Sequence, residues 1–173
     1  MTRMVEFEYD RNRAVEYAHY WAYRRNPDFY NFQDIGGDCT NFASQCIFAG
    51  AGIMNYTPTY GWYYINASDR SPSWAGVQYL YNFLTTNKGV GPYGVEVGLQ
   101  DVQPGDICQL NISKNVFHHT PVIVREEQPV TLDNIFVAAH SRDVDCRPLS
   151  TYTYTALRFV HIQGVRTIVT DPE

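Results

Sequence analysis

Several things are scarce in this chain, and each scarcity removes a class of function. Cysteine comes first: four in 173 residues, at positions 39, 46, 108 and 146, are too few and too unevenly spaced for a disulfide scaffold, which a chain of this size does not need. Cys39 and Cys46 are seven residues apart on one predicted helix, about 10 Å along its axis and beyond the roughly 7 Å Cα separation that a disulfide tolerates. No C-x-x-C or H-x-x-x-H pair offers two metal ligands from one turn. His118, His119, His140, Asp143 and Cys146 are close in sequence but lack such spacing, so neither a metal nor a cofactor is expected. Basic clusters are missing too: the 13 Lys and Arg are scattered, the net charge is −5 and the pI is near 5.5, which leaves no electrostatic footprint for nucleic acid. The longest apolar runs, such as 47–54, fall well short of the roughly 18 residues of a membrane span. The start, Met1 to Glu8, lacks the apolar core of a secretory signal. A soluble protein is expected, cytoplasmic or secreted after loss of a signal. Repeats, linkers and low-complexity segments are also absent, and 45% hydrophobic content can fill a proper core, so residues 1–173 are expected to form a single domain. Oligomeric state is left open.

What is present is a helix-rich first half and a strand-rich second half. Asp10 is a good N-cap for a helix in which Ala14, Tyr17, Ala18, Trp21 and Ala22 share a face, and Asn26-Pro27 stops it. A second helix is expected over 39–49, with Cys39, Phe42, Ala43, Cys46 and Ile47 on its buried face, Asp38 as N-cap, and Gly50 and Gly52 at its end. A third should start at Ser73 and run through Leu84 to Asn87. From Gln103 the period changes to two, and strands are expected over 108–112, 119–124, 135–140, 157–162 and 165–169. Helices followed by strands predict an α+β fold with a mainly antiparallel sheet.

The chemistry is concentrated in Gly36-Gly37-Asp38-Cys39. A thiol in the first turn of a helix lies beside unpaired N–H groups with partial positive charge, which favour a thiolate and can hold an oxyanion. His119, at the mouth of an apolar strand, is the matching base, and His118 is expected in the loop before it. If the strands at 119–124 and 135–140 form a hairpin pairing Val124 with Ile135, His119 faces His140, which then supplies the third member of a triad. That inference depends on register, since a slip of one residue moves His140 to the other face. Cys39 would attack an amide carbonyl. Its own N–H and a second donor, Gln33 or Tyr30, would hold the oxyanion, and His119 would protonate the leaving amine.

These residues resemble a known family. Gly36-Gly37-Asp38-Cys39-Thr40-Asn41-Phe42-Ala43-Ser44-Gln45-Cys46 is similar to the putative amidase domain family of bacteria, within the papain-like group that includes the NlpC/P60 and CHAP cysteine peptidases. The likeness continues through Trp62-Tyr63-Tyr64, residues 73–80, Pro104-Gly105-Asp106-Ile107, His119-Thr120 and Ala139-His140-Ser141-Arg142-Asp143, with Arg147-Pro148-Leu149. Pro121 stands where such relatives usually carry a small or aliphatic residue. The resemblance implies a Cys-bearing helix packed on an antiparallel sheet, with Cys39 as nucleophile and His119 as base. It places a polar third residue on the next strand, His140 first and Asp143 in reserve. It also implies cleavage of an amide or peptide bond, in cell-wall peptide (peptidoglycan) among other candidates, without a cofactor. The alternative is a non-catalytic glycan- or peptidoglycan-binding module, to which the Tyr60-Gly61-Trp62-Tyr63-Tyr64 loop would contribute stacking surfaces; in an enzyme the same loop would line the cleft.

Overall fold

The computed structural model describes residues 1–112 and 115–173. Its elements are β1 (Thr2–Phe7), α1 (Arg11–Trp21), α2 (Cys39–Ala51), β2 (Tyr64–Asn66), β3 (Asp69–Arg70), α3 (Pro72–Ala75), α4 (Val77–Thr86), β4 (Gly91–Val97), β5 (Ile107–Asn111), β6 (Val122–Glu126), β7 (Ile135–Ala139), β8 (Val144–Pro148) and β9 (Ala156–Thr170). One sheet runs β1-β9-β5-β6-β7-β8, with β4 also paired to β9, and every pairing is antiparallel. The fold is α+β, and the two short strands β2 and β3 pair separately. Among the described residues no helix is long and apolar enough to cross a membrane.

Strand alternation sorts the apolar residues onto the two faces of the sheet. Ile107, Val122, Val124 and Ala138 point toward the helices and join Phe42, Ile47, Trp62, Trp74, Leu80 and Leu84 in the larger core. Their neighbours Cys108, Ile123 and Val137 point the other way and meet Val102, Leu110, Leu149 and Phe159 in a second core. Cys46 and Cys108 are thus packing residues, as small buried hydrophobes. Helix α2 is the central element, buried at every position from Cys39 through Ile47. Full burial of Phe42 and Ile47 contributes roughly 1.5–3 kcal/mol each. The helix ends at Gly52, whose left-handed φ of 71° lets its N–H reach the Phe48 carbonyl.

Several expectations need correction. The helix expected from Ser73 is two helices, because Gly76 is extended (φ −109°, ψ 125°) between α3 and α4. The strands expected at 157–162 and 165–169 are one strand. Gly164 continues β9, and the Tyr93 ring of β4 covers the space a side chain would occupy there. Helices do not all precede strands, since β1 and β4 come early. β1 is nearly all exposed and is held by its pairing with the end of β9, with Arg3–Asp171 and Glu6–Arg166 ion pairs across the strands. The aromatic loop lies away from Cys39: Trp62 is in the core against Trp74 and Phe83, and Tyr60 is exposed.

Candidate active site

Cys39 is the first residue of α2 and is 7% exposed. The turn before it is built on Gly36 (φ 83°) and Gly37 (φ 95°), a conformation that side chains resist. A Cβ on Gly37 would also lie 3.0 Å from the Ser141 hydroxyl. That hydroxyl accepts the Asp38 N–H (3.0 Å), and the Ser141 carbonyl accepts Gln33 Nε2 (2.7 Å). Ser141 itself has a positive φ of 83°, strained for a non-glycine residue and sustained by the surrounding bonds.

Asp38 does not cap α2 with its side chain. Its Oδ1 accepts Phe32 N–H (2.8 Å) and Asn41 Nδ2 (2.9 Å), while Oδ2 lies 2.6 Å from His140 Nδ1 and 3.4 Å from Arg25 Nε. Burial alone would raise this carboxyl; the bonds from His140, Asn41 and Phe32 outweigh it and hold Asp38 below its ordinary value. His140 is buried, stacks on Phe42 at 3.9 Å between ring centroids, and points Nε2 at the Trp21 carbonyl (2.8 Å). Arg25 grips Asp143 with two nitrogens (2.9 and 3.0 Å) and donates to Gln33 Oε1 (3.2 Å). A polar clip therefore joins the end of α1, the 25–38 loop and the 140–143 turn beneath the start of the cysteine helix.

His119 is elsewhere. It bridges Leu110 on the segment before β6, with its carbonyl accepting the Leu110 N–H (3.1 Å). The β6–β7 register pairs Val122 with Ala138 and, past an irregularity after Ile123, Glu126 with Ile135. The expected pairing of Val124 with Ile135 is thus shifted, and β6 begins only after Pro121. His119 does not face His140, and both ring nitrogens of His140 are engaged by Asp38 and Trp21. Nor does Asp143 approach His119, being held by Arg25. Gln33 bonds Ser141 and Arg25 through its amide, and Tyr30 packs edge-on against Phe32; neither lines the space above Cys39.

That space is a cleft of about 610 Å³, bounded by Cys39, His118, His119, Ser141, Arg147 and Tyr152. The Cys39 sulfur is 3.7 Å from the Thr40 hydroxyl and 3.8 Å from the His118 carbonyl. Burial raises the thiol above its ordinary value and Asp38 adds to this, although bonds from the Thr120 and Thr40 backbone and the Thr40 hydroxyl pull it down. The thiolate expected from the helix start is therefore not the resting form; desolvation outweighs the N–H groups. Burial, helped by His118 and Arg147, lowers His119 to about 4. Its ring lies 5.7 Å from that of Tyr152, over which the Arg147 guanidinium sits at 3.7 Å. Cys39 and His119 thus share one cleft as a thiol and a neutral imidazole at neutral pH.

Sequence reasoning did not assign roles to Ser141, Arg142, Arg147, Thr151 or Tyr152. No spacing in the sequence brings positions 141–153 over a helix that starts at 39, and only the β7–β8 turn does so. Of the possible metal ligands weighed from sequence, His118 and His119 line the cleft, His140 and Asp143 belong to the clip, and Cys146 lies apart on β8. Among the described residues, the group that brings ligand-type atoms together, within 4.8 Å of one another, is His19, Asp145 and Cys146. There His19 Nδ1 already pairs with Asp145 at 2.8 Å.

No solved structure matches this chain. It is similar to the uncharacterized protein YhbB of Bacillus subtilis (strain 168), 35% identical over 125 residues, which are 70% of this chain and 39% of that protein. The chain therefore spans well under half the length of that relative. The putative amidase domain family matches residues 8–163, a span that runs from the residues before α1 into β9 and takes in the cleft, the clip, the second core and all of the larger core but Val165. The chain belongs to the putative amidase domain family.

Proposed function

We propose that this chain is a cysteine-dependent amidase or peptidase of papain-like character that hydrolyses amide bonds through a thioester, with peptidoglycan peptide as the first substrate to test. The observation that carries this reading is that Cys39, at a helix start, and His119, with its depressed basicity, open into one cleft. As the sulfur adds to the amide carbonyl, the thiol proton passes to His119. The Cys39 N–H at the head of α2 then faces the developing oxyanion. His119 returns the proton to the departing amine as the C–N bond breaks, and next takes a proton from the water that attacks the thioester. The nucleophile and base act as a dyad. His140 and Asp38 are positioning residues that hold the Cys39 turn through the clip, while Asp143 acts through Arg25.

A base near 4 remains unprotonated through most of the acid range, so activity should fall only as pH drops toward about 4 rather than through the usual histidine range. The test is digestion of purified peptidoglycan and of synthetic peptide amides, with mass analysis of the products. New amine and carboxylate ends that vanish in Cys39→Ala are expected. Retained hydrolysis in Cys39→Ser at the wild-type rate would overturn the mechanism. Saturable binding of glycan without cleavage would favour the binding-module reading.

A further inference from the structure

The charge around the cleft is lopsided. The chain as a whole is acidic, at −5, yet two arginines, Arg142 and Arg147, line the cleft and, among the described residues, no Asp or Glu does. Several arginines elsewhere are matched to carboxylates, as Arg11 is to Asp106, Arg25 to Asp38 and Asp143, and Arg166 to Glu6, whereas Arg24, Arg70 and Arg158 rest on aromatic rings outside the cleft. Arg142 is exposed and makes no hydrogen bond or ion pair among the described residues. Arg147 is fixed but not neutralised. Its Nε donates to the Thr151 hydroxyl (2.7 Å), a terminal nitrogen donates to the Thr151 carbonyl (3.0 Å), and its plane rests on the Tyr152 ring. A planar guanidinium held this way has lost its rotamer freedom in advance and still presents charge, which suits two-point recognition of a carboxylate.

We propose that Arg142 and Arg147 form a carboxylate-binding subsite beside Cys39, so that the cleaved amide belongs to a substrate with a free carboxylate close to the scissile bond. The subsite rests on the cleft's own charge; its use in substrate choice rests on the amidase reading above. An acidic protein repels anionic substrates at long range, and a cationic pocket at the reacting sulfur reverses that preference locally. Because Arg147 is one of the groups that lower His119, a bound carboxylate would also offset that charge and ease proton acceptance by the imidazole.

The probes are iodoacetate and iodoacetamide, which differ chiefly in one carboxylate, with alkylation of Cys39 followed by peptide mapping. The ratio of the two rates cancels any general change in thiol reactivity. In the wild type this ratio should fall about fivefold on going from 20 mM to 1 M salt. At low salt it should fall about three- to fivefold in Arg147→Gln and in Arg142→Gln, and further in the double variant. Arg147→Lys keeps the charge without the fork and should lie between wild type and Arg147→Gln. Arg142 has no partner to lose among the described residues, so its variant remains informative if Arg147→Gln disturbs the 151–153 segment. Ratios that are the same in wild type and both glutamine variants, and insensitive to salt, would overturn the subsite. Slow alkylation of Cys39 by both reagents, unaffected by His119→Ala, would instead sink the amidase reading while the ratio still reports on the arginines.

Discussion

Two buried aspartates in this molecule have nearly the same company. Asp38, beneath the cysteine helix, bonds His140, Arg25, Asn41 and a backbone N–H. Asp106, at the start of β5, bonds His161 (2.8 Å), Arg11 (2.7 Å) and the N–H groups of Gln103 and Ile162. Both fasten a helix or its flanking loop to the sheet, and both satisfy every oxygen. Only one lies next to the cleft thiol, Cys39. The comparison teaches that an Asp–His contact here is a fastening device, and that a catalytic reading must come from what the neighbouring cleft contains. In the same way, both ring nitrogens of His140 face the clip, at Asp38 and the Trp21 carbonyl, rather than His119.

The largest expected effect separates cleft from clip. Cys39→Ala and His119→Ala should each lower amide hydrolysis by about 10³–10⁴-fold. Asp106→Asn, remote from the cleft, should keep the rate of the folded fraction within about threefold, as read by steady-state assay below its melting temperature. Equal losses in all three would mean that activity merely tracks stability.

Next in size are the two aspartates themselves. Asp106→Ala leaves Arg11 without its carboxylate in a largely buried site and should cost about 3–5 kcal/mol, roughly 10 °C or more in Tm for a chain of this length. Asp38→Ala should cost a similar amount, but it should also slow iodoacetamide alkylation of Cys39, because the Gly36–Gly37 turn loses its anchor. Thermal melts and alkylation rates together distinguish the two. If Asp38→Ala alters only the melt, the clip does not position the thiol.

A smaller effect comes from His119. Its folded value of about 4 lies below the ordinary histidine value, so between roughly pH 6.5 and pH 4 the unfolded chain binds a proton that the folded chain does not. Stability from this residue is full above the unfolded value and is lost as pH falls through that window, on the order of 2–3 kcal/mol. Asp38 adds a separate loss at lower pH, since its folded carboxyl is held below the ordinary carboxylate value. Urea melts at pH 7 and pH 4.5 should show the first loss in wild type and its absence in His119→Gln.

How much of this was legible in the sequence differs between the same regions. The helix carrying Cys39 was readable because its apolar face recurs at helical spacing and glycines bracket it. β5 and β7 were readable from alternation. β1 was not, because its side chains are exposed and only pairing with β9 makes it a strand. The cysteine and the cleft histidine were visible as residue types in favourable local settings. The register between β6 and β7 was invisible, because it is set by Pro121 and by the irregularity after Ile123, neither of which alternation can locate. With it went the expected facing of His119 and His140, whose partner proved to be the aspartate one residue before Cys39.

The smallest effect concerns the helix starts, where α1 and α2 each begin after an aspartate. Asp10 accepts the Arg13 N–H at 3.1 Å and caps α1 in the ordinary way, so Asp10→Ala should cost about 1 kcal/mol. Asp38 occupies the same position before α2 but turns its carboxylate into the clip. The first N–H groups of α2 are thereby left without a side-chain carboxylate at the cleft, and on the proposed mechanism a capping anion there would compete with the oxyanion. On this argument Asp10→Asn should be nearly neutral, since asparagine caps as well as aspartate does. Asp38→Asn should instead weaken the clip by removing the charge that His140 and Arg25 face. Hydrogen exchange at the first turn of each helix checks the difference: protection should hold in α1 of Asp10→Asn and fall in α2 of Asp38→Asn.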